Sequence, residues 1–167
     1  MLIDKENLEK LSKEFLTQFF YITESHFRID VQNMFIDHIC WRCESQKDFE
    51  GMETTFLEMG TLFHKSDHNG RPIILIMLDT AIQFKNQTIS LIELPAPKKT
   101  THYTNGFEHA EFVIKGELTD LISKYSDLPW ETKNINKAIN PDVKLNYNGI
   151  TIKFHPYTLA HVVKKLE

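Results

Sequence analysis

His38, His109, Glu93 and Lys153 occupy matching places in an internal repeat: Asp37-His38-Ile39 falls on Glu108-His109-Ala110, and Ile92-Glu93-Leu94 falls on Ile152-Lys153-Phe154. Neutral imidazoles and a carboxylate suit Zn, Fe(II), Mn or Ni, and three protein ligands leave coordination positions for water or substrate. His38, Glu93 and His109 are therefore the expected ligands of a divalent metal ion. A lone histidine followed by apolar residues on a strand is ordinarily a packed or solvated side chain. The expectation rests on the repetition.

Lys153 stands where a fourth ligand would complete the set, but an ammonium ligates only after losing its proton. Three roles stay open: pairing with Glu93 in place of a metal, holding an anionic substrate, or moving a proton as acid or base. His155 shares a strand face with Lys153 and is a candidate substitute ligand or substrate contact. Glu111, on the face of His109, is a candidate general base, with an ion pair to Lys153 or Arg42 as the alternative. Arg71, in the turn Asn69-Gly70-Arg71-Pro72, is placed to bind a carboxylate or phosphate. Cys40 and Cys43 spell C-x-x-C, but alternation at a strand end points the thiols to opposite faces, so a buried Cys40 beside His38 is expected rather than a redox pair. His102 and Tyr103 lie in a polar linker that can close over a site.

The elements that must carry these residues can be read from periodicity. Leu8, Leu11, Phe15, Phe19 and Ile22 recur at steps of three and four, which predicts an amphipathic helix between Asp4 and His26. Met34 to Cys43 predicts a strand, and Ser45 caps a helix carrying Phe49, Met52, Phe56 and Leu57. Strands follow near Thr61 to His64, from Pro72 to Leu78 and from Thr88 to Leu94, with turns at Asp67-His68-Asn69-Gly70 and Lys85-Asn86. After the linker the order returns: a strand over Gly106 to Ile114, a helix over Glu117 to Ser126, and strands near Glu131 to Asn136, Val143 to Tyr147 and Ile150 to His155. A last helix carries Leu159, Val162, Val163 and Leu166. The predicted class is α+β, two βαβββ modules forming a curved or half-barrel mixed sheet with an N-terminal helical extension. The boundaries are 1–30 for the extension, 31–97 for the first module, 98–105 for the linker and 106–167 for the second module.

The 167 residues are 41% hydrophobic and 25% charged, enough for one globular domain or two half-domains sharing a core. A net charge of −4, spread along the chain, offers no basic stripe for nucleic acid. No apolar run of membrane-spanning length and no secretory signal pattern is evident. The expectations are a cytoplasmic protein, monomer or homodimer, that takes a small-molecule ligand without nucleic acid or membrane.

The same motifs carry a family resemblance. Asp37-His38-Ile39 with Arg42-Cys43, Asn69-Gly70-Arg71-Pro72-Ile73, Glu93-Leu94-Pro95, Glu108-His109 and Ile152-Lys153-Phe154-His155-Pro156 resemble, in order, the YecM family of the vicinal oxygen chelate superfamily, whose fold is that of glyoxalases, bleomycin-resistance proteins and extradiol dioxygenases. The resemblance runs from about Met34 to the last helix. It implies metal ligands on the first and last strands of each module, at His38, Glu93, His109 and Lys153. Enzymes of that superfamily commonly carry Glu at the last position, and Lys153 departs from the pattern. The implied function is metal-dependent isomerase, lyase or oxygenase chemistry on a small oxygen-rich substrate. The alternative is a non-catalytic binder of a small molecule or anion, because fold alone does not choose a reaction.

Overall fold

The structure is a computed structural model that describes residues 3–165. The chain separates into two units: one takes the chain up to Leu16 with His38–Glu108, the other takes Thr17–Asp37 with the chain from His109 onward. The N-terminal helix α1 (Lys5–Phe20) contributes to both, and a π-helical turn, Tyr21–His26, continues it. Leu8, Ser12, Phe15, Leu16 and Phe19 form its buried stripe. None of the described helices is long and apolar enough to cross a membrane.

The first unit carries β1 (Phe35–Arg42) from His38 onward, α2 (Gln46–Leu57), β2 (Gly60–Asp67), β3 (Pro72–Phe84) and β4 (Gln87–Pro95), in the expected β-α-β-β-β order. Its strands lie β2-β3-β4-β1, with β1 parallel to β4 and β3 antiparallel to β2 and β4. Ser45 caps α2 as expected. Its hydroxyl accepts from the Asp48 N–H at 3.1 Å, while Asp48 accepts from the Ser45 N–H at 3.1 Å, a reciprocal capping box. Phe49, Met52 and Phe56 face inward from α2, which packs on β2, β3 and β4. The strand residues of that layer, Ile39, Trp41, Ile74, Ile76, Ile92 and Leu94, are buried. Each large apolar side chain there contributes about 1.5–3 kcal/mol.

Alternation puts the chemistry on the other face. Cys40 pairs with Glu93 and His38 with Leu91 across the parallel ladder, so His38, Cys40, Arg42 and Glu93 share one face. Leu75 pairs with Glu93 and Ile73 with Pro95, which brings the start of β3 beside the end of β4. The β2–β3 hairpin closes through Asn69 and Gly70, at φ 58° and 77°, the left-handed pair that a two-residue type I′ turn needs. Its ends bond through His68 N–H to Arg71 O at 2.9 Å and Arg71 N–H to His68 O at 3.3 Å. Arg71 is thereby fixed at the mouth of the strands.

The second unit carries β5 (Gly106–Val113) from His109 onward, α3 (Leu118–Lys124), β6 (Val143–Tyr147), β7 (Ile150–His155) and α4 (Leu159–Lys164). Its strands lie β5-β7-β6, with β5 parallel to β7 and β6 antiparallel to it. One face packs aromatic rings: Phe112 stacks on Phe154 at 5.6 Å, meets Phe19 at 5.3 Å and Phe20 at 5.9 Å, and Trp130 stands edge-on to Phe154 at 5.6 Å. Leu159 N–H donates to Asp37 at 2.9 Å, tying the start of α4 to the base of β1. Of the residues expected on the last helix, Leu166 lies outside the described residues.

The strand expected near Glu131 to Asn136 is corrected to a single bridge between Glu131 and Lys144. Local bonds replace the ladder beyond it: Ile135 N–H to Thr132 O at 3.0 Å, Lys137 N–H to Asn134 O at 3.1 Å, and the Asn134 amide to Asp142 at 2.8 Å. Asparagine side chains and the following Pro141 favour turns over a strand. The repeat itself is visible in the registers. His38 faces Leu91 and Cys40 faces Glu93 in one unit; His109 faces Thr151 and Glu111 faces Lys153 in the other.

Candidate functional site

In the first unit, β1 and β4 bring His38 and Glu93 together. His38 Nε2 lies 3.4 Å from Glu93 Oε2, with His38 fully buried and Glu93 15% exposed. Charge-assisted hydrogen bonds are shorter, about 2.7–2.9 Å. Two ligands held about 2.0–2.1 Å from a tetrahedral ion stand about 3.3–3.4 Å apart. The donor set and its spacing therefore fit a divalent metal. Cys40, expected as a plain buried neighbour of His38, directs its thiol to Glu93 Oε1 at 3.7 Å, so a softer donor borders the same carboxylate.

Two guanidinium groups flank this pair. Arg42 donates from Nε to Glu108 at 2.8 Å and lies over the Tyr103 ring at 5.0 Å. Burial works against its charge, but Cys40, Glu108 and Glu93 outweigh burial and hold the guanidinium above its ordinary pKa. Arg71 donates from Nε to the Ala96 carbonyl at 2.6 Å. Burial, then the Arg42 charge, push its pKa below the ordinary value, against the pull of Tyr103, Glu93 and Cys40. The sequence reading gave Arg42 no site role of its own, although its alternation with His38 and Cys40 was the signal that places it on their face.

In the second unit, β5 and β7 bring His109, Glu111, Lys153 and His155 together. His109 Nε2 and Glu111 Oε1 are 3.5 Å apart, the spacing of the His38–Glu93 pair. Lys153 Nζ serves both, at 3.1 Å from His109 Nε2 and 2.6 Å from Glu111 Oε1. An ammonium only donates, so a hydrogen bond from the Lys153 ammonium makes His109 Nε2 the acceptor. Glu111 is nearly buried and Lys153 is 22% exposed. Of the alternatives for Glu111, the ion pair to Lys153 is formed, and Arg42 pairs with Glu108 instead. His155 Nδ1 lies 3.1 Å from Asn140 Oδ1 and 3.7 Å from Glu111 Oε2. Two registers with the same geometry thus hold different chemistry: a carboxylate at 93, a cation at 153.

Comparison with known proteins bears out the resemblance to the YecM family. The family model described as YecM protein matches residues 4–165. Protein YecM of Escherichia coli is 27% identical over 150 residues, covering 81% of this chain and 80% of that one. An uncharacterised protein of Haemophilus influenzae is 27% identical over 156 residues, covering 81% and 82%. A structural-genomics protein of known structure shares the fold with a TM-score of 0.81 at 22% identity, over 100% of this chain and 98% of its own. The chain belongs to the YecM family.

Proposed function

We propose that this protein is a metal-dependent enzyme of the vicinal oxygen chelate type, acting on a small oxygen-rich substrate. The observation that carries the reading is the His38–Glu93 pair on one face of two parallel strands, with donor atoms 3.4 Å apart. His38 and Glu93 would hold the ion. A bound divalent ion supplies Lewis acidity to the oxygens of a substrate. The second unit supplies proton chemistry of its own. Lys153 shares its protons with Glu111 and His109, and an ammonium, a carboxylate and an imidazole linked in this way can hold a proton or release one.

One observation favours a second reading, a non-catalytic binder of a small molecule or anion. Lys153 puts a built-in cation against a His–Glu pair of metal-ligand spacing. Metal analysis of protein purified without a histidine tag separates the two. The enzyme reading predicts stoichiometric divalent metal in the wild type and its loss in His38→Gln and Glu93→Gln. Metal absent from the wild type but present in Lys153→Glu overturns it and leaves the binder.

A further inference from the structure

Arg71 has one committed hydrogen bond and one buried donor with no acceptor. Its Nε is spent on the Ala96 carbonyl, while Nη2 is buried with no hydrogen-bond partner among the described residues. A buried, charged N–H left without an acceptor is costly, so an acceptor from a ligand is favoured there. The backbone around it is fixed rather than loose, through the type I′ turn before it and the Ala96 N–H bond to Pro72 O at 2.9 Å after it. Arg71 shares its strand face with Ile73 and Leu75, the residues opposite Pro95 and Glu93. Glu93 and Cys40, on the same face, both act on the Arg71 charge, so it lies within electrostatic reach of the His38–Glu93 pair.

The surroundings carry more basic than acidic side chains. A groove of about 790 Å³ borders Arg71, and His68, Lys98, Lys99 and His102 line it with a single acidic residue, Glu44. The second guanidinium, Arg42, is already neutralised by Glu108 and covered by Tyr103. Arg71, by contrast, donates to a backbone carbonyl, which leaves its charge without a carboxylate bonded to it among the described residues. A planar group with two oxygens matches the free edge of such a guanidinium, and lysines along a groove draw an anion towards it.

We infer that the substrate is a small carboxylic acid with an oxygen on the adjacent carbon, and that Arg71 is its carboxylate receptor at the inner end of the groove between residues 68–72 and 96–102. This rests on the reading of the His38–Glu93 pair as the centre that handles the oxygens. It adds a substrate class, 2-hydroxy or 2-oxo acids, and excludes neutral diols and diketones. Specificity then comes from Arg71, because a neutral analogue leaves its buried donor unanswered.

Glycolate is a suitable probe, with ethylene glycol as its neutral counterpart and inorganic phosphate as the other anion, each titrated by nuclear magnetic resonance into metal-loaded and chelator-treated protein. Glycolate is expected to bind wild-type protein more tightly than either. Arg71→Gln is expected to weaken it about tenfold to a hundredfold. Arg71→Lys keeps the charge but loses the planar fork, and falls in between with the fold retained. Equal glycolate affinity across the three proteins overturns the inference, as does ethylene glycol or phosphate binding as tightly as glycolate. The metal reading fails separately: His38→Gln that changes neither metal content nor turnover refutes that reading, while the Arg71 series in chelator-treated protein still reports on the anion.

Discussion

Single residues set what each half of the repeat carries, a carboxylate at Glu93 in one and an ammonium at Lys153 in the other. Lys153 stabilises the nearly buried Glu111, and removing one partner of such a pair strands the other. Lys153→Met is expected to lower stability by about 3 kcal/mol in denaturant unfolding at neutral pH, with much of the loss recovered in Lys153→Met combined with Glu111→Leu. A loss under about 0.5 kcal/mol in the single variant contradicts the pairing. Cys43 makes the opposite point, a residue whose motif suggested reactivity and whose surroundings remove it. Burial first, and Asp48 second, push its thiol up to about 12. At pH 8 only about one molecule in ten thousand carries the Cys43 thiolate, so peptide mapping after iodoacetamide should show Cys43 unmodified in native protein and modified after unfolding. Of the candidate site, His38, Glu93, His109 and Lys153 were legible through their repeat positions, and Glu111 through strand alternation from His109. The sequence did not show the Ala96 carbonyl that holds Arg71 or the Glu108 that takes Arg42, because backbone acceptors and cross-strand neighbours depend on register.

Elements were legible where local chemistry and burial agree. The helix after Ser45 was marked by a cap and an apolar stripe, and the hairpin at Asn69-Gly70 by the residues a type I′ turn requires. The region after Glu131 was misjudged because its alternating pattern competes with asparagine turns and a proline, and only one bridge survives. The cap of α2 gives a test with a definite sign. Its hydrogen bonds to Ser45 hold the Asp48 carboxyl below the ordinary aspartate value. A group with a depressed folded pKa contributes stability above its unfolded pKa and loses it as pH falls through the folded one. The stability difference between wild type and Asp48→Asn should therefore be full at pH 6 and shrink at pH 3 and below. Ser45→Ala should cost about 1 kcal/mol at neutral pH. A difference that grows on acidification contradicts the capping role.

At the scale of the whole molecule, the βαβββ order of the first unit and the βα, single bridge and two strands of the second share matching strand registers but differ in their site residues. Cys40 and Glu93 in one unit correspond to Glu111 and Lys153 in the other, on ladders of the same parallel kind. Matching short motifs exposed the duplication in the sequence, since strand alternation preserves which face each residue occupies. What separates an enzyme from a binder is whether the unit that carries Glu93 holds a metal. Anomalous diffraction from crystals of untagged protein, recorded at the absorption edge of the metal found in solution, addresses this most directly. A peak within about 2.0–2.3 Å of both His38 Nε2 and Glu93 is the predicted result. Metal-containing crystals with no peak at that pair, or with the peak elsewhere, would contradict the account.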